Sequence, residues 1–412
     1  MLRFAPSPYG EMHIEDLRIA IFNFIVAKQR GVPFCVRIDD CDKSATIEGK
    51  DTEIMQILEK FALSHDRVHH QSEHLRMHQN IALRLLRERK AFICTCEGDC
   101  KGACAENAFG DYAALKESGK PFVVRMRKPE ARICVKDTIR GEYTFEPDNA
   151  GYAIILDSEG NPSCDFATAC EEMLGSVTFV IRKEKYLPQT PVQIDMMRAS
   201  GYDGEIVYAH LPPLFKEEDE EKLSLKRLFK EGFVPDAIIN YILLESGQAP
   251  MEICTLPDAI EGFSLESVPT SPVPFDEEKL KKLNREHLSR IEERELSLLF
   301  GFADADIGKL AKLYLGELST VGELSEKISA IFSPKRFEGK YASDMRTLQA
   351  VLSEAPMLKD YDALEAYIVR RTGMTPDRFA IPLKLLLTGT ESGPDIKEIY
   401  PYLKCYLLEV IS

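Results

Sequence analysis

The chain has 412 residues, 44% of them hydrophobic and 29% charged, enough for two or three domains with substantial cores. Its formal charge of −15 argues against a protein that coats nucleic acid by bulk electrostatics, although one basic face can coexist with an acidic remainder. No apolar run approaches a membrane span and no charged-then-apolar leader opens the chain. Eleven cysteines, several set singly among apolar residues, suit a reducing compartment, so the expectation is a cytoplasmic protein with no membrane partner.

Leu2 and Phe4 read as a short buried strand, followed by two prolines, Gly10 and then an apolar helix over residues 17–27. Strand, tight loop and helix is the arrangement that aims backbone N–H groups at a phosphate, with His13 where the loop enters the helix. Residues 34–38 predict a second buried strand, ending in Asp39, Asp40 and Asp42, and residues 46–61 a helix. This spacing suggests a doubly wound parallel sheet, whose ligands meet the carboxyl ends of the strands. A solvated acidic loop is the alternative for 39–42.

Phe4 to Pro8, Gly10, His13 and Ile14 resemble the signature of glutamyl-tRNA synthetases, class I enzymes whose usual form reads F-A-P-S-P-T-G, two residues, then H-I-G. Tyr9, Glu15 and Asp16 depart from it. Arg37, Ile38, Asp40 and Asp42 likewise follow the family's R-I-E-D-T-D, with Asp39 and Cys41 as departures. The resemblance implies an α/β fold: a class I Rossmann-type parallel sheet with an α+β acceptor-binding insertion, then an all-α C-terminal half. It implies that Pro8, Gly10, His13 and Glu184 bind ATP, used with Mg, and that His13 also acts in catalysis. Arg3, Ala5, Ser7, Asp39 and Arg182 are implied to hold glutamate.

A Leu-rich basic helix over 74–90 leads into Cys94, Cys96, Cys100 and Cys104. Four thiolates can close a tetrahedral structural zinc site, although the C-x-C opening is tighter than the common C-x-x-C and surface thiols without metal are the alternative. Many family members carry a similar cysteine pattern in the acceptor-binding insertion. Residues 121–129 alternate apolar and basic side chains, so one strand face either meets a phosphate backbone or is simply solvated.

A helix from 161–174 feeds a strand over 177–182 ending in Arg182. Here Cys164 replaces an aromatic residue of the family's amino-acid pocket, Glu171-Glu172 replaces two aspartates, and Lys183-Glu-Lys-Tyr186 replaces G-E-D-H. The family's second signature, K-[LM]-S-K-R on a mobile loop, aligns best as deleted. Its remnant holds the five acids 217–221 and Lys222, a residual catalytic candidate. Acids beside a triphosphate repel it: two unit charges about 6 Å apart interact by roughly 3 kcal/mol at an effective dielectric near 20.

Beyond residue 250 the pattern is helical, and 379–394 resembles the family's P-L-R-x-A-L-T-G-x-x-x-G-P, so the likeness runs nearly full length. The expected domains are a Rossmann first half (1–73), acceptor-binding insertion (74–160), Rossmann second half (161–215), connecting helices (216–273) and a helical anticodon-binding domain (274–412). The resemblance implies tRNA, glutamate and ATP as partners and a monomer. The departures favour a tRNA-binding paralogue with weak or no aminoacylation, over a functional glutamate–tRNA ligase or a protein-interaction scaffold.

Overall fold

The computed structural model describes residues 1–107, 109–215 and 223–412; the acidic run 217–221 and Lys222 lie outside them. The chain forms two compact units, Met1–Lys226 with Ile242–Phe275, and Arg227–Tyr241 with Asp276–Ser412.

The first unit begins β1 (Leu2–Phe4), α1 (Ile14–Arg30), β2 (Phe34–Ile38), α2 (Lys50–Lys60), β3 (Arg67–His70). Strands β1, β2 and β3 pair in parallel in that order, with Phe4 opposite Val36 and Ile38 opposite His70. Helix α1 is apolar on nearly every side because it is buried from Leu17 through Ala27. Each buried Leu, Ile or Phe there contributes roughly 1.5–3 kcal/mol. Gly31 ends the helix at φ 61, where its N–H donates to the Lys28 carbonyl and the Val32 N–H to that of Ala27. A residue with a Cβ is strained in that left-handed conformation. Helix α2 starts later than the expected residue 46. Residues 46–49 are spent on a loop in which the Ile47 N–H donates to the Pro8 carbonyl, and Gly49 turns the chain at φ 80.

There follow α3 (Leu75–Arg87), β4 (Ala91–Cys94), α4 (Phe109–Ser118), β5 (Val123–Met126), β6 (Ile133–Asp137), β7 (Gly141–Phe145) and β8 (Ile154–Leu156). Strands β4, β5 and β8 make an antiparallel sheet. The chain continues through α5 (Cys164–Leu174), β9 (Phe179–Lys183), α6 (Thr190–Ala199) and β10 (Val207–Leu211). A third sheet runs β7-β6-β10-β9, in which β10 is parallel to both β6 and β9 and β7 is antiparallel to β6. The Arg3 and Asn23 side chains both reach the Ile181 carbonyl on β9, tying the first strand and helix to it.

Helices α7 (Leu225–Glu231), α8 (Pro235–Glu245) and α9 (Leu256–Gly262) come next. The remainder is helical: α10 (Glu277–Arg290), α11 (Glu293–Leu298), α12 (Ala305–Leu313), α13 (Val321–Phe332), α14 (Ala342–Ser353), α15 (Tyr361–Thr372), α16 (Pro376–Thr388), α17 (Ile396–Leu403) and α18 (Leu407–Val410). Its core is built from side chains such as Leu310, Ile328, Leu348, Ile368, Phe379 and Leu403, one from each of α12 to α17. Among the described residues no helix is long and apolar enough to cross a membrane.

Candidate active site

A cleft of about 480 Å³ opens in the first unit at the carboxyl ends of β1, β2 and β9. Arg3, Ala5, Ser7, Gly10, Asp39 and Arg182 line it, together with Tyr9, Arg37, Cys164, Lys183 and Lys185. Its size is that of a small-molecule site. Its walls differ in charge: Arg182, Lys183 and Lys185 on β9 and the turn after it, Asp39 just after β2.

The charges on the floor are held by ion pairs or by neutral acceptors. Arg3 meets the Glu172 carboxylate at 2.6 Å and Arg37 meets it at 3.3 Å, all three side chains being buried. Arg37 also donates to Asp39 at 2.6 and 3.2 Å. Burial pushes the Asp39 carboxyl up, and the Arg37 guanidinium opposes this. Arg182 donates to Gln193 at 2.8 Å, to Thr190 at 2.7 Å and to His210 Nε2 at 3.1 Å. His210 in turn holds Asp137 through Nδ1 at 2.6 Å. Burial keeps His210 below its ordinary pKa, and a neutral ring with its proton on Nδ1 leaves Nε2 free to accept from Arg182.

The departures at the start of α1 have identifiable partners. Glu15 accepts from the Leu214 and Phe215 N–H groups at 2.6 and 3.0 Å and lies 3.8 Å from buried Arg18. Its charge thus fastens the loop after β10. Asp16 receives the His13 N–H at 3.2 Å and pairs with Lys183 at 2.6 Å. His13 forms an isolated antiparallel bridge with Ser224, the Leu225 N–H donates to the Met12 carbonyl, and Lys226 pairs with Glu11 at 3.2 Å. The segment after the undescribed residues therefore lies against the N-terminal signature.

The profile of class I tRNA synthetases (E and Q), catalytic domain, matches residues 1–100 and 100–282. The chain is 47% identical to the glutamate–tRNA ligase 2 of Sulfurovum sp. and 41% identical to that of Sulfurimonas denitrificans, with each comparison covering 100% of both chains. The chain belongs to the glutamyl-tRNA synthetase family. Its fold is similar to that of a glutamate tRNA ligase from Elizabethkingia meningosepticum, solved in complex with its amino acid, with a TM-score of 0.76 at 21% identity over 99% of this chain and 97% of that one.

Within this synthetase-family chain the remaining predicted residues are placed apart from the cleft lining. His13 caps α1 at the loop–helix junction, Pro8 is buried behind the loop, and Glu184 pairs with Arg140 at 2.6 Å. Lys222 is outside the described residues. The sulfur atoms of Cys94, Cys96, Cys100 and Cys104 lie within 4.8 Å of one another, a donor set of soft ligands that fits zinc. The loop carrying them is pinned by Arg125, which donates to the Gly98 and Tyr152 carbonyls at 2.6 and 2.9 Å. Arg127 is likewise spent on the Arg89 and Ala105 carbonyls. These two arginines are therefore used internally, and Lys128 is exposed. Lys183 and Lys185, which stand where the family has G-E-D-H and are candidates to replace its missing lysines, both line the cleft. Nothing in the local pattern announced that Glu15 would meet residues almost two hundred positions away.

Proposed function

We propose that this chain is a working glutamate–tRNA ligase that uses ATP to activate glutamate and then transfers it to tRNA. The observation that carries this reading is the cationic wall of the cleft. Lys183 and Lys185 follow Arg182 there, the Lys183 charge being shared with Asp16, while Glu15 is occupied by the Leu214 and Phe215 N–H groups. Fixed cations at the site where charge develops on departing phosphates lower the barrier without reorganisation. In this reading Arg3, Ala5, Ser7, Asp39 and Arg182 hold glutamate. Pro8, Gly10, His13 and Glu184 serve the nucleotide, which carries Mg, and Cys94, Cys96, Cys100 and Cys104 hold a structural zinc. The chain acts as a monomer in the cytoplasm, and Lys222 has at most a supporting role.

A second reading, a tRNA-binding paralogue with weak or no aminoacylation, draws support from Tyr9 and Cys164 in the cleft, where the family has threonine and an aromatic residue. Glutamylation of total tRNA from the source organism, with glutamate, ATP and Mg²⁺ and with enzyme in excess, separates the two. Charging above the background of a His13→Ala control is expected. No charging from protein that still shifts tRNA on a gel would overturn the ligase in favour of the binding protein, and loss of both would leave an interaction scaffold.

A further inference from the structure

Away from the cysteine loop and the cleft lining, three histidines converge on one buried carboxylate. His69 lies on β3, His74 immediately precedes α3, His78 sits one turn along it, and Glu171 projects from α5. His74 Nδ1 and His78 Nε2 are each 2.8 Å from Glu171 Oε1, and His69 Nε2 is 3.1 Å from Oε2. The ligating atoms of His69, His74 and Glu171 all lie within 4.8 Å of one another. We infer that His69, His74 and Glu171 form a second metal site, for a zinc-class divalent transition ion.

The chemistry and the geometry both suit such an ion. Imidazole with one carboxylate is a borderline donor set that favours zinc, cobalt or nickel over calcium or magnesium. Ligands about 2.0–2.2 Å from a shared tetrahedral centre stand roughly 3.3–3.6 Å apart, so modest side-chain rotation brings the atoms to that spacing. The carboxylate is 4% exposed while the His69 and His74 side chains are 27% and 37% exposed. The ion is thus anchored from the inside and reached from solvent, with a position left for water. His78, wholly buried, contacts Glu171 through Nε2 and has no hydrogen-bond partner at Nδ1 among the described residues, so its contact orients the carboxylate. It is a positioning residue of the kind that sits behind metal ligands.

The three ligands come from separate elements, so the ion would cross-link β3, the start of α3 and α5. The next residue on α5 is Glu172, which holds Arg3 and Arg37 at the floor of the cleft. Metal at this site would therefore stiffen the cleft without touching substrate. With no metal, the same cluster is a carboxylate accepting three N–H bonds, and the experiment distinguishes these states.

Full-length protein, wild type and the single variants His69→Ala and His74→Ala, is loaded with Zn²⁺, desalted and assayed for bound zinc. Both histidines are partly exposed, which favours folded variants, and circular dichroism checks this. Wild type should retain one more zinc per chain than either variant, whatever the cysteine loop holds. Loading with Co²⁺ should give a visible d–d spectrum in wild type whose difference from His74→Ala lacks a thiolate charge-transfer band. His78→Gln should retain the site with affinity lowered about 10–100-fold. Equal zinc content in wild type and both folded alanine variants, or a difference spectrum dominated by the thiolate band, would overturn the site and leave a hydrogen-bonded carboxylate.

Discussion

Asp137 is the clearest case of one side chain setting the state of others. Its carboxylate accepts the Ile139 and Arg140 N–H groups at 2.9 and 2.7 Å and the His210 N–H and Nδ1 at 3.1 and 2.6 Å. Burial opposes the charge, but these bonds win and hold the carboxyl below its usual range. A depressed carboxyl pKa contributes stability that is present above the unfolded value, near 3.9, and is lost as pH falls through the folded value. Asp137→Asn should therefore cost about 1–3 kcal/mol at pH 7, with the His210 tautomer disturbed. Denaturant titrations of both proteins should show that difference shrinking below about pH 4, as Asp137 of the wild type takes up its proton. A difference independent of pH would contradict this role.

At the same scale, the resemblance to the family's motifs made Arg3, Ala5, Ser7, Gly10 and Asp39 readable as candidates, and all five line the cleft. The pairings were not readable. Glu15 looked like a charge aimed at a nucleotide because sequence spacing carries no record of the Leu214 and Phe215 N–H groups. The histidines 69, 74 and 78 passed unnoticed for the same reason, since their common partner lies on a helix nearly a hundred residues later.

Among elements, those with strong local patterns were legible. The buried run 34–38 coincides with β2, and the helical pattern beyond residue 250 includes α10 (Glu277–Arg290). Boundaries shifted where a turn imposed itself, as at Gly49 before α2. Element packing also hangs on single small residues. A Cβ added at Gly308 in α12 would stand 1.9 Å from the Glu293 carbonyl oxygen at the start of α11, a backbone atom that cannot turn aside. Gly308→Ala should therefore lower stability by about 3 kcal/mol, at the upper end of overpacking effects. Gly316→Ala, where a Cβ meets nothing within 4 Å, should stay within about 0.5 kcal/mol of wild type. Chemical denaturation of the two variants tests the pair, and equal effects would show that the α11–α12 approach can relax.

For the molecule as a whole, the parallel sheets and the helical C-terminal half follow from patterns that repeat over many residues, which is why fold class was readable while side-chain partners were not. Among the described residues, the departures in the N-terminal signature do not leave bare negative charge. Their acids are bound, by backbone donors at Glu15 and by Lys183 at Asp16, and the cleft keeps a basic wall. The most direct measurement is the steady-state rate of tRNA glutamylation by wild type and by the double variant Lys183→Met, Lys185→Met, with tRNA affinity measured in parallel. A ligase that stabilises departing phosphate charge through this wall should lose about 10²–10³-fold in kcat while tRNA affinity changes little. An unchanged kcat, or no charging by the wild type at all, would contradict it.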